Sequence, residues 1–109
     1  MRTKKGVNLF GLQPVMRPIL KEADKIWISH GRSEGVTVVS TVDSVHSASS
    51  WHPYGYAVDL RTRYFDDEDK REVFALLKIA LPRFDIILHS SHIHVEINNE
   101  LADELGVLF

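Results

Sequence analysis

The order of apolar and polar positions divides this chain into alternating helical and extended segments. From Pro14 to His30, the residues Val15, Met16, Ile19, Leu20, Ala23, Ile26 and Trp27 recur at i, i+3, i+4 spacing, which predicts a helix packed on the core. Pro14 and Pro18 suit its first turns, where an amide is unpaired anyway, and Gly31 suits its end. Val36–Thr41 is β-branched throughout apart from Ser40 and predicts a strand. Val42–Tyr54 is rich in serine and lacks periodicity. Tyr56–Arg61 then alternates, with Tyr56, Val58 and Leu60 on one face and Ala57, Asp59 and Arg61 on the other.

Asp66 or Asp67 can cap a second helix with an acidic first turn and an apolar stripe of Val73, Phe74, Leu76, Leu77 and Ala80, closed by Pro82. Phe84–Leu88 and His92–Ile97 read as strands joined in a hairpin through His89–Ser91. A short helix over Leu101–Leu105, after Asn98 or Asn99, is expected to close at Gly106. There is no repeat and no low-complexity segment. The sequence therefore predicts one α+β domain over residues 1–109, with helices on one side of a small, mostly antiparallel sheet and residues 1–7 as a flexible tail.

Composition narrows the chemistry. The 109 residues are 44% hydrophobic and 26% charged, with a formal charge of −2, which gives no sign of a nucleic-acid-binding surface. The absence of cysteine excludes disulfides, thiolate metal sites and thiol nucleophiles, so any metal must be held by His, Asp or Glu. No apolar run approaches a membrane span and none resembles a signal peptide. Synthesis in the cytoplasm without membrane insertion is the expectation.

Five of the six histidines lie outside the predicted helices: His46, His52, His89, His92 and His94. In the strand His92–Ile97, the period of two places His92, His94 and Glu96 on one face and Ile93, Val95 and Ile97 on the other. Upstream, His52 stands in the loop and Asp59 on the next strand, seven residues on, with Gly55 allowing a tight turn between them. If the chain doubles back, His52, Asp59 and His94 converge as two imidazoles and a carboxylate. That donor set suits a catalytic zinc with its fourth position left to water, and cobalt or manganese can use the same donors.

The pattern Ser50-x-His52-x-x-Gly55-x-Ala57-x-Asp59, followed by His92-x-His94, resembles the zinc D-Ala-D-Ala carboxypeptidases of metallopeptidase family fifteen. These share a fold with the Hedgehog signalling domain. The resemblance runs from about Asn8 to Glu96 and is greatest to the compact forms of bacteriophages and prophages. It implies a Hedgehog/DD-peptidase-like fold and one zinc ion held by His52, Asp59 and His94. It makes His92 similar to the family's histidine that stabilises the transition state. The implied activity is cleavage of the stem peptide of bacterial peptidoglycan by a monomer that reaches the wall after lysis or by virion delivery.

In similar compact sequences an acidic residue stands where this chain has His89, and no carboxylate lies between Asp85 and His92. Three readings compete. His89 is itself the general base; Glu96 serves as base or orients a ligand; or the domain binds zinc without cleaving and uses the pocket to hold a peptide or protein. The family's arginine before the first motif has no counterpart between Val36 and His46. Arg61, on the Asp59 face, is a candidate for a substrate carboxylate. Ser50, Trp51, Tyr54 and His46 are candidates for the substrate groove.

Overall fold

The computed structural model describes residues 1–41 and 55–107. Its elements run β1 (Arg2–Thr3), a 3-10 turn (Pro14–Met16), α1 (Arg17–Ser29), β2 (Thr37–Ser40), β3 (Ala57–Arg61), α2 (Asp67–Ala80), β4 (Phe84–Leu88), β5 (His92–Ile97) and α3 (Asn99–Glu104). The five strands form one mixed sheet in the order β1-β2-β3-β5-β4. Three of its pairings are antiparallel and the β1–β2 pairing is parallel. The coarse expectation of an α+β domain holds.

Local chemistry explains the boundaries. Asp66 caps α2 by accepting the Asp69 amide at 2.8 Å, and Asn98 caps α3 by accepting the Leu101 amide at 2.7 Å. Past the end of α1, Gly31 takes φ +89°, and the next amide, that of Arg32, returns to the Trp27 carbonyl at 3.0 Å. The hairpin turn closes where the His89 amide donates to the His92 carbonyl at 2.9 Å.

One apolar cluster joins sheet to helices. Val36, Val38, Val58, Leu60, Ile93, Val95 and Ile97 meet Ile19, Ala23, Ile26 and Trp27 of α1 and Val73 and Leu77 of α2. Each fully buried aliphatic side chain contributes roughly 1.5–3 kcal/mol. The opposite face of β3 and β5 is consequently left for polar residues.

Two expectations are corrected. Arg2 and Thr3 are not part of a loose tail but form the edge strand β1, since the Arg2 and Lys4 amides donate to the Val36 and Val38 carbonyls, both at 2.8 Å. The stripe on α2 is narrower than its periodicity suggests. Val73 and Leu77 are buried, whereas Leu76 is 40% exposed and Ala80 also faces solvent. Among the described residues α2 packs on α1 and on β4 through this narrow stripe.

Candidate metal centre

The sheet register assembles the site. Strands β3 and β5 pair so that Asp59 lies directly opposite His94, Arg61 opposite His92 and Ala57 opposite Glu96. Directly opposed residues have Cβ atoms about 4.5–5.5 Å apart on the same face, close enough for short side chains to touch. Accordingly His94 Nδ1 is 2.8 Å from Asp59 Oδ1. On the other side of the ring, His94 Nε2 is 2.6 Å from Glu96 Oε1. His92 Nε2 approaches the same Asp59 oxygen at 4.0 Å.

With Asp59 buried and His94 largely so, an imidazole between two carboxylates is electrostatically biased. Burial alone would push the His94 ring down. Hydrogen bonds to Asp59 and then Glu96, reinforced by their charges, outweigh it and raise the pKa from 6.5 to about 9. In the metal-free protein His94 is therefore an imidazolium at neutral pH, donating from both nitrogens.

The donor chemistry fits a divalent cation. Asp59 and His94 offer an oxygen and a nitrogen on one face, and both could ligate a cation once they part from their 2.8 Å contact to ligand distances of about 2.0–2.2 Å each. Glu96 would then accept the remaining Nε2–H and fix the ring, the usual support for a metal-bound histidine.

The remaining predicted residues fall into two groups. His46, Ser50, Trp51, His52 and Tyr54 lie outside the described residues. His89 is exposed at the hairpin turn and stacks on His92 with ring centroids 4.7 Å apart. Arg61 shares the face of Asp59, as expected, and lines a cavity of about 150 Å³ together with Lys4, Val39, Arg63, Ser91 and His92. Lys4, Arg61 and Arg63 make no ion pair among the described residues, so three cations face one small pocket beside the Asp59–His94 pair. Trp27 anchors this corner from the core side by donating its indole N–H to the Arg61 carbonyl (3.1 Å) and the Tyr64 hydroxyl (2.9 Å).

A second donor group was not anticipated. His30, Asp69 and Glu72 bring one ligand atom each within 4.8 Å of one another, and this His/Asp/Glu group could hold a metal ion. The sequence offered the acidic first turn of α2 as a signal, but nothing in it placed the end of α1 beside that turn. Among the described residues no helix is long and apolar enough to cross a membrane. No protein-family model, curated protein or solved structure matches the chain.

Proposed function

We propose that the protein is a zinc-dependent peptidase acting on the stem peptide of bacterial peptidoglycan. The observation that carries this reading is the Asp59–His94 contact, buttressed by Glu96, on the polar face of the sheet. His52, which precedes β3 in the sequence, would supply the third donor, as the resemblance implies. When bound, a divalent ion in such a site makes water nucleophilic near neutral pH and polarises the scissile carbonyl. Asp59 and His94 would hold it, and Glu96 would keep the His94 ring oriented through the 2.6 Å contact to Nε2. His92 faces the same carboxylate and is placed to donate a proton or hydrogen bond to the developing oxyanion. His89, stacked on His92, restricts that ring and can exchange protons with solvent. The pocket formed by Lys4, Arg61 and Arg63 supports a substrate that carries a carboxylate, which stem peptides do.

A second reading has a specific observation in its favour. Glu96 is engaged with His94 at 2.6 Å, and no carboxylate stands between Asp85 and His92, so a free carboxylate base is lacking among the described residues of this face. On that reading the domain binds zinc and a peptide without cleaving it.

The test is to load the protein with zinc, incubate it with purified peptidoglycan and follow released amines, alongside His94→Ala, His92→Ala, His89→Ala and Arg61→Ala. Hydrolysis should vanish in His94→Ala and fall about 10²–10³-fold in kcat in His92→Ala, as for loss of an oxyanion donor. Arg61→Ala should raise KM more than it lowers kcat. Metal uptake that is lost in His94→Ala, without amine release, would replace the enzyme by the binding module. Absence of any His94-dependent metal uptake would remove both readings.

A further inference from the structure

The His30–Asp69–Glu72 group belongs to the helical side of the domain. His30 follows the last residue of α1, while Asp69 and Glu72 stand three apart on α2 and so share one face of that helix. The orientation of the histidine ring is fixed by backbone. His30 Nδ1 lies 2.9 Å from the Ile26 carbonyl oxygen, which can only accept, so Nδ1 carries the hydrogen. The ring also meets Phe65 edge-on, with centroids 6.5 Å apart, and its side chain is only 13% exposed.

In the neutral ring this leaves the Nε2 lone pair facing Glu72 Oε2 at 3.1 Å. Two acceptors at that distance repel unless a proton or a metal cation lies between them. A histidine whose Nδ1–H is given to a backbone carbonyl is oriented as metal-ligating histidines commonly are. The half-buried Asp69 carboxylate makes no hydrogen bond or ion pair among the described residues, although its ligand atom lies within 4.8 Å of the other two. No lysine or arginine neutralises Asp69 or Glu72. Lys70, between them, donates instead to the Ser90 carbonyl at 2.8 Å, and Arg32 pairs with Glu34 and covers the Tyr64 ring.

We infer that His30, Asp69 and Glu72 form a second divalent-cation site, a clamp of α1 onto the first turns of α2. One imidazole and two carboxylates suit zinc, cobalt, nickel or manganese, whereas calcium prefers six to eight oxygen donors. The role is structural: the ion ties two helices whose ligands are 39 and 42 residues apart in sequence. Through Lys70 the same turn of α2 holds the β4–β5 turn, which carries His89 and adjoins His92. The inference stands independently of the peptidase reading, because it shares no ligand with the sheet site.

Equilibrium dialysis and thermal unfolding with zinc or cobalt alone test it, on the wild type, His94→Ala, Glu72→Gln and His94→Ala/Glu72→Gln. The sheet site is disabled in His94→Ala, which should still bind one ion and gain at least about 10 °C in Tm at a hundredfold excess over Kd. Both the residual ion and the gain should disappear in the double variant. His30→Gln in the same background should lose the ion while keeping the fold, as judged by unchanged far-ultraviolet dichroism. Glu72 is exposed, so its substitution leaves folding intact. A His94→Ala protein that binds no ion, or only in the millimolar range, overturns the inference. So does a double variant that retains the ion. If the wild type takes up a single ion and Glu72→Gln loses it, the clamp survives and the sheet site fails.

Discussion

Gly55 tests how the strand carrying Asp59 is set in place. It adopts φ +80°, and a Cβ built there would collide with the carbonyl oxygen of Gly11 and lie 3.3 Å from the Gln13 amide, which itself donates to the Gly55 carbonyl at 3.0 Å. Gly55→Ala therefore meets two penalties. Forcing an L-residue into the left-handed region costs roughly 1–2 kcal/mol. Displacing a packed backbone segment costs roughly 1–3 kcal/mol more. The sum, about 2–5 kcal/mol, corresponds to a fall in Tm of roughly 10–30 °C for a domain of this size. Gly31 provides the internal control: its φ is +89°, yet nothing lies within 4 Å of its would-be Cβ. Gly31→Ala should cost only the conformational part, about 1–2 kcal/mol, lessened by the reduced freedom of the unfolded chain. Urea unfolding of both variants by tryptophan fluorescence separates the terms. Equal losses in the two variants would refute the idea that contact with Gly11, rather than φ alone, reserves position 55 for glycine.

Two further outcomes follow from the same structure. In protein stripped of metal, the raised His94 pKa lends stability that is fully present below 6.5 and is lost as pH rises through about 9. Unfolding free energies measured from pH 6 to 10 should fall by up to ~1.4 kcal/mol per unit within that window; Glu96→Gln should flatten the slope, and an unchanged slope would remove the two-carboxylate explanation. Trp27→Phe deletes the indole donor to the Arg61 carbonyl and Tyr64 hydroxyl at a fully buried position. It should cost about 1–3 kcal/mol by denaturant titration, and a neutral result would show that the indole hydrogen bonds do not hold this end of β3.

Much of the fold was legible because the sequence is locally consistent. The period of two in His92–Ile97 fixed which residues face the core, and the hairpin boundaries follow from Phe84–Leu88 and its short turn. Residue type narrowed the caps to Asp66 or Asp67 and to Asn98 or Asn99, and the structure selects the first of each pair. The strand at Arg2–Thr3 was not, because two residues carry no periodicity and its pairing with β2 is a long-range event. The His30–Asp69–Glu72 group was invisible for a related reason. His30 reads as the end of a core helix and the two carboxylates as favourable charge at a helix start, and only the packing of α1 on α2 unites them.

The sheet register also explains why Asp59 and His94 touch while their neighbours on this face stand farther off. Asp59 and His94 are directly opposed, and their side chains touch at 2.8 Å. The next positions on the same face are two residues away along each strand, about 6.8 Å at the rise of an antiparallel strand. His92 is such a diagonal neighbour of Asp59, and its Nε2 stops at 4.0 Å, farther than the direct pair. Glu96, the diagonal neighbour on the other side, reaches His94 rather than Asp59. The register therefore yields one directly opposed Asp–His pair, one carboxylate on the far side of that imidazole and one flanking imidazole. On the proposed reading the third donor comes from outside the sheet, and the sequence carries a histidine, His52, ahead of Gly55 and β3.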